Sequence, residues 1–296
     1  MRVDEVCERL WPGREARVER LGGGLTNNNF KVTVGGEAFV VRVGGRDTEL
    51  LGIDRRAEHG AALVAAEVGV GPEVIAFVEP EGCLVTRFVE GTPVPADELA
   101  SRSAIPRVAA VLRAVHDGPR VPGRFDSFRV VEEYRETVAD RGGRVPEAYP
   151  RAQAVARRIE DALGPREERP CHNDLLNANF IADGDRLWIV DWEYAGMGEP
   201  FFDLANFSVN NGLDEAGDEA LLSAYLADAD NCDRARLVVM RFMSDFREAM
   251  WGAVQKAVSV LDVDFVAYAD EHFARLEATA ESARFRDALD RLSSLR

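Results

Sequence analysis

Residues 171–206 read CHNDLLNANF IADGDRLWIV DWEYAGMGEP FFDLAN. His172, Asp174 and Asn179 stand in the pattern H-x-D-x-x-x-x-N. The apolar runs 179–182 and 187–190 follow, separated by Asp183-Gly184-Asp185, which predicts a β-hairpin. The second run leads directly into Asp191. Phosphoryl transfer needs a carboxylate beside the attacking hydroxyl and oxygen ligands for a divalent cation. A short loop carrying Asp174 and Asn179 supplies both, and the hairpin returns Asp191 to Asn179, where the two can share a Mg²⁺ ion. Glu193 can join or orient the same ion, because hard oxygen donors suit it. D-x-x-x-x-N alone also describes surface loop polars. The preceding His172, the hairpin and the apolar strand running into Asp191 give it its weight.

Outward from this stretch, the chain changes character. Residues 16–43 predict three short strands, with the Gly22–Asn29 segment (GGGLTNNN) after the first and a Gly35-Gly36 turn between the second and third. Residues 54–68 switch to helical period, with Ala57, Ala61, Val64 and Val68 on one face. Two further strands, 74–78 and 83–89, precede a break at Gly91-Thr92-Pro93-Val94-Pro95. Beyond it, residues 105–115, 129–140, 148–163, 203–210, 215–228, 233–260 and 263–292 carry helical patterns. A strand-rich first third and a helical remainder predict an α+β chain of two lobes, 1–90 and 91–296, with a cleft between them.

The first lobe offers a phosphate side for that cleft. Gly23 and Gly24, followed by Thr26, Asn27 and Asn28, can bring backbone N–H groups close to phosphates. A glycine-rich turn in a hairpin is the commoner use of such a segment. Arg42 lies in the apolar strand FVVRV and needs a partner if it points inward. Glu58 on the following helix is the candidate, and their ion pair would aim a cation at nucleotide phosphates. The alternative is an edge-strand arginine pointing to water.

The formal net charge of −16 argues against nucleic acid or an anionic membrane as partner and either suits a cationic substrate or only aids solubility. Cysteines 7, 83, 171 and 232 are isolated, which excludes a CxxC zinc or disulfide framework. The N-terminus lacks signal-peptide character and there is no apolar run of the roughly 18 residues a membrane helix needs, so a cytoplasmic protein is expected.

The motifs GGGLTNNNFKV, FVVRV, LVTRFVEG, HNDLLNANF and VDWEYAGMGEPFFDLANF, with the Glu58 helix, resemble the bacterial choline/ethanolamine kinase group over the whole chain. That group lies within the aminoglycoside phosphotransferase and protein-kinase-like superfamily. The resemblance implies a protein-kinase-like fold with a small antiparallel-sheet N-lobe and a larger, mainly helical C-lobe. It implies ATP as donor, Mg²⁺ as cofactor, Asp174 as catalytic base, and Asn179 with Asp191 as metal ligands. It places the adenine over a hinge at Thr86, Phe88 and Val89. It makes Asp203 a buried brace of the catalytic loop, with His172 in a structural role.

A quaternary ammonium donates no hydrogen bond and is held by aromatic faces and carboxylates. The segment REAMWGAVQ, followed by DFVAYA, resembles the choline pocket of the eukaryotic enzymes, with Trp251, Phe265 and Tyr268 as acceptor residues. Val254 replaces the second tryptophan of that motif, the interval from Trp251 to Tyr268 is short, and no Arg stands before Phe202-Asp203. Trp192 and Tyr194 are the candidates to complete the cage. For Trp251 the alternative is helix-packing core. The expected acceptor is a small cationic alcohol, choline first and ethanolamine second, used by a monomer or homodimer. Thiamine, an aminoglycoside or a macrolide are alternatives, and a nucleotide-binding pseudoenzyme is a remote one.

Overall fold

The computed structural model describes residues 2–22, 26–45 and 47–294. Helix α1 (Val3–Leu10) precedes strands β1 (Ala16–Arg20), β2 (Asn27–Val34) and β3 (Glu37–Gly44). The β2–β3 hairpin turns through Gly35 and Gly36, both at positive φ (60° and 89°), as its right-handed twist requires. β2 starts earlier than the expected strand at 30, because Asn27, Asn28 and Asn29 already pair with Gly44, Val43 and Arg42. Helix α2 (Arg55–Glu67) begins at Asp54, whose carboxylate accepts from the Arg56 and Ala57 N–H groups. Strands β4 (Val74–Val78) and β5 (Cys83–Arg87) complete an antiparallel sheet of order β1-β2-β3-β5-β4. Alternate residues Val32, Val34, Phe39 and Val41 bury one sheet face against Val6 and Cys7 of α1. α1 lies before the first element expected from the sequence, the strand at residue 16.

The chain then joins a second, small sheet: β6 (Thr92–Pro93) pairs with β8 (Phe180–Asp183), which pairs with β9 (Arg186–Ile189). The β8–β9 hairpin lies where the apolar runs predict it. Between β6 and β8 stand α3 (Ala96–Leu99), α4 (Ile105–His116), α5 (Ser127–Asp140), α6 (Tyr149–Leu163) and β7 (Arg169–Cys171). After β9 come β10 (Gly196–Gly198), α7 (Pro200–Asn210), α8 (Glu215–Tyr225), α9 (Asn231–Val258), α10 (Phe265–Glu281) and α11 (Ala283–Ser293). The helical run expected over 263–292 is two helices. Ser282 is extended (φ −70°, ψ 149°) and its hydroxyl accepts from the Phe285 N–H, so it ends one helix and caps the next.

Helix α9 is the axis of the helical part. It is buried on nearly all sides, charged residues such as Asp245, Arg247 and Glu248 included, and packs against α5, α7, α10 and α11. Its core continues into the first lobe through Ala61, Ala62 and Ala65 of α2. The architecture is the two-lobed α+β fold of protein-kinase-like enzymes. Among the described residues no helix is long and apolar enough to cross a membrane.

Candidate active site

The loop between β7 and β8 is held from beneath by α7. Pairing of β7 with β10 sets Cys171 opposite Gly196. Asp203, fully buried, accepts from the His172 N–H (2.8 Å) and the Asn173 N–H (2.7 Å), and its Oδ2 also meets His116 Nε2 at 3.0 Å. Asn206 Oδ1 accepts from the Leu175 N–H at 2.6 Å, and Asn211 Nδ2 donates to the Leu175 carbonyl at 3.2 Å. Buried loop backbone is tolerated only when paired in this way. Asn173 adopts a left-handed φ of 67°, and its side chain donates to the Tyr194 carbonyl. Burial lowers the pKa of His172. The neutral ring suits its contacts: Nε2 lies 3.0 Å from the Val190 carbonyl and Nδ1 accepts from the Asp174 N–H at 3.2 Å. His116, Cys171 and Asp203 converge closely enough for a metal, yet Asp203 commits both oxygens to the loop and burial keeps the Cys171 thiol well above its usual pKa.

On one side of Asp174 lies a chain of oxygens and arginines. Asn179 Nδ2 donates to the Asp174 carbonyl at 2.9 Å, and the Val190 N–H donates to the Asn179 carbonyl at 3.0 Å. Asp191, at φ 69°, accepts from Arg42 Nη1 at 2.8 Å. The same nitrogen lies 2.5 Å from Glu58 Oε1. The structure therefore brings Arg42 and Glu58 together and turns both inward. Among the described residues, Asn179 Oδ1 and Asp191 Oδ2 have no hydrogen-bond partner. Two such oxygens on adjoining segments fit a hard divalent cation.

Glu193, expected to join or orient the same ion, reaches across to the first lobe. Both of its oxygens are taken by the first lobe: Thr26 Oγ1 at 2.6 Å, Asn27 Nδ2 at 2.8 Å and Arg55 Nη1 at 3.3 Å. Thr26 and Asn27, expected at the phosphates, thus point their side chains at a carboxylate. Asn28 accepts from exposed Arg20. Arg55 was not foreseen, although it lies one helical turn before Glu58 and pairs with it at 2.7 Å. Gly23 and Gly24 lie outside the described residues. In the expected hinge, Thr86 pairs with Val40 and Val74 inside the sheet. The Phe88 ring carries Lys31 Nζ at 3.7 Å, and the Phe88 N–H donates to the Ala38 carbonyl. Among the described residues no backbone acceptor takes the Val89 N–H.

On the other side of Asp174 is an aromatic cluster around two charges, Arg247 and Glu248, that are not among the expected site residues. Arg247 and Glu248 lie on α9, one turn before Trp251, and both are buried. Arg247 Nη1 reaches Asp174 Oδ1 at 3.2 Å and Glu248 Oε1 at 2.5 Å. Its guanidinium carbon lies 4.4 Å from the Tyr194 ring centroid. Trp251 Nε1 donates to the Tyr194 hydroxyl at 2.9 Å, and Tyr268 Oη donates to Glu248 Oε2 at 2.8 Å. Phe265 and Tyr268 meet Trp251 edge-on at 6.0 and 5.5 Å. Gly252 permits this closeness, since a Cβ there would lie 2.9 Å from the Tyr268 ring. Trp192 does not join the cluster. Its indole N–H donates to the Ile189 carbonyl and its ring packs against His172, beneath the loop. The signal for the missed pair was a charged dipeptide inside an otherwise apolar stretch, FREAMWG.

Burial pushes the Asp174 carboxyl up to about 7, with Arg247 opposing and Glu248, Asp191 and Glu193 adding to the shift. Burial and then Asp191 push Glu193 up to about 7. Burial also acts on Glu248, but Arg247, His272 and Tyr268 outweigh it and hold that carboxyl below its usual range.

Residues 17–238 match the model of the phosphotransferase enzyme family. The chain is 26% identical to the LicA protein of Haemophilus influenzae over 248 residues, 79% of this chain and 72% of that one. It is 26% identical to mouse ethanolamine kinase 2 over 293 residues, 88% of this chain and 75% of the relative. The crystal structure of a choline/ethanolamine kinase family protein from Mesorhizobium loti superposes with a TM-score of 0.84 at 32% identity, covering 99% of this chain and all of the other.

Proposed function

The chain belongs to the phosphotransferase enzyme family and, within it, to the choline/ethanolamine kinase group, and on that premise we propose that it moves the γ-phosphoryl group of ATP onto the hydroxyl of a small amino alcohol of the choline and ethanolamine class. One observation carries the proposal. Asp174 stands on a fully braced loop between an oxygen-and-arginine side (Asn179, Asp191, Arg42) and an aromatic, acidic side (Tyr194, Trp251, Tyr268, Glu248).

In this reading the phosphates lie toward Arg42 and the acceptor toward α9. Asp174 accepts or orients the hydroxyl proton, so the oxygen is placed for in-line attack. Arg42 is held by Glu58 and Asp191 and contributes fixed positive charge where the transition state gathers negative charge. Asn179 and Asp191 would hold Mg²⁺, which supplies charge neutralisation at the phosphates when bound. His172 and Asp203 keep the loop in register. Asp174 and Glu248 together outweigh Arg247 by one formal negative charge, which favours an ammonium-bearing acceptor.

The test is an ADP-release assay with ATP and Mg²⁺ across choline, ethanolamine, thiamine, aminoglycosides and neutral sugars. Turnover is expected with the amino alcohols. Inert amino alcohols together with an active sugar would sink the proposal.

A further inference from the structure

The acceptor side already contains a cation. In an aromatic cage the ammonium lies over a ring face within about 6 Å of its centroid. Here the face of Tyr194 is covered by the Arg247 guanidinium at 4.4 Å. The Trp251, Tyr268 and Phe265 rings turn edges and faces to each other. An incoming trimethylammonium would meet a like charge in the place where it needs an open ring.

The same arginine is only partly satisfied. Nη1 serves both Asp174 and Glu248, while Nε and Nη2 are buried with no partner among the described residues. A buried donor left unpaired costs about 1–3 kcal/mol, more for a charged group. Native interiors seldom carry such groups without a reason. Nε and Nη2 form one edge of the guanidinium fork, the edge that takes two oxygens side by side. A lysine at 247 would provide the charge but not that edge.

Building on the amino-alcohol reading above, we infer that Arg247 is the acceptor-specificity residue. It takes the place of a quaternary ammonium on Tyr194 and offers its Nε–Nη2 edge to a further oxygen of the acceptor, hydroxyl or carboxylate. The acceptor's amine is then unmethylated and donates to Glu248, whose two oxygens keep room for a further N–H beside Arg247 and Tyr268. The preferred acceptor is an amino alcohol bearing a second oxygen, and choline is a poor one.

Steady-state kcat/KM would be measured for choline, ethanolamine, 2-amino-1,3-propanediol, L-serine and L-homoserine, using the full chain with ATP and Mg²⁺. In the wild-type protein, at least one oxygen-bearing acceptor should exceed ethanolamine by about tenfold or more, and ethanolamine should exceed choline, as expected where a buried donor needs its partner. The diol and the amino acids separate a hydroxyl from a carboxylate. Arg247→Lys keeps the charge for Asp174 and Glu248 but loses the fork. It should bring the oxygen-bearing compounds to within about threefold of ethanolamine, mainly through KM, and leave choline poor. Arg247→Met should raise choline relative to ethanolamine by about tenfold. Choline ranking first in the wild-type protein would overturn the inference, and that measurement needs no variant. Acceptor ratios unchanged in folded Arg247→Lys would do the same. Failure of every amino alcohol in the wild-type protein, with a neutral sugar active, would instead remove the amino-alcohol reading itself.

Discussion

Asp174 is a carboxyl whose surroundings pull in opposite directions. Burial and three neighbouring carboxylates favour its protonated form, and Arg247 favours the ionised one. As the group that takes or orients the hydroxyl proton, it contributes what a positioned base usually does. Asp174→Asn should therefore lower kcat by about 10²–10⁴-fold while ATP binding, followed by calorimetry, persists. Its pKa of about 7 sets the sign of the pH dependence. The ionised base accumulates as pH rises, so kcat/KM should climb through about 7 and then level off. For stability the sign is opposite. The unfolded carboxyl loses its proton near about pH 4, well before the folded one, so in between the folded state binds more protons and stability falls as pH rises. Urea unfolding at pH 5.5 and 7.5 should show a smaller pH-dependent loss in Asp174→Asn than in the wild-type protein. An equal loss in both would place the titration elsewhere.

At the scale of elements, α7 is the support for the loop that carries Asp174. Asp203 and Asn206 on α7, and Asn211 at its C-terminal cap, meet the backbone of His172, Asn173 and Leu175. Asp203→Ala leaves two buried N–H groups and His116 without their acceptor. It should cost about 3–5 kcal/mol in urea unfolding, the usual loss when one member of a buried charged network is removed. Asn206→Ala, which strips one neutral acceptor, should cost about 1–3 kcal/mol. Much of this was legible in the sequence. The apolar run into Asp191 identified the hairpin, and the family resemblance carried by FFDLAN implied Asp203 as a brace. Asn206 and Asn211 were not legible, because an asparagine on a helix announces no partner until the loop above it is placed. Arg247 and Glu248 were hidden for a similar reason. A charged pair in a long helix usually faces water, and only the packing of α9 among α5, α7 and α10 shows that these two cannot. Trp192 was misplaced because a residue following a left-handed Asp191 no longer keeps the strand's alternation of faces.

For the molecule as a whole, two carboxylates of the 191–193 segment carry charged contacts between the lobes, beside the bonds of the Ile189 N–H to the Val70 carbonyl and of Arg186 to the Gly69 carbonyl. Asp191 meets Arg42, and Glu193 meets Thr26, Asn27 and Arg55, so β2, β3 and α2 all converge on two carboxylates of the larger lobe. Composition alone could not reveal this, since it assigns the same value to a solvated glutamate and to one that collects three donors from another lobe. Glu193 therefore acts as a tie between lobes, with donors of the first lobe on both of its oxygens. Glu193→Ala should loosen the first lobe without unfolding the second, because the helical core around α9 does not depend on it. Hydrogen exchange measured by mass spectrometry should show amides of residues 27–34 and 48–58 exchanging at least about tenfold faster, equivalent to about 1.4 kcal/mol or more of lost local protection. Amides of residues 237–254 should stay at their wild-type rate. The KM for ATP should rise as well, since Arg55 loses one of its two carboxylates and draws more on Glu58, which also holds Arg42. Uniform acceleration across both lobes would mean that Glu193 supports the global fold, and no acceleration in either would mean that the other contacts between the lobes, among them Arg42–Asp191 and Ile189–Val70, hold the first lobe without it.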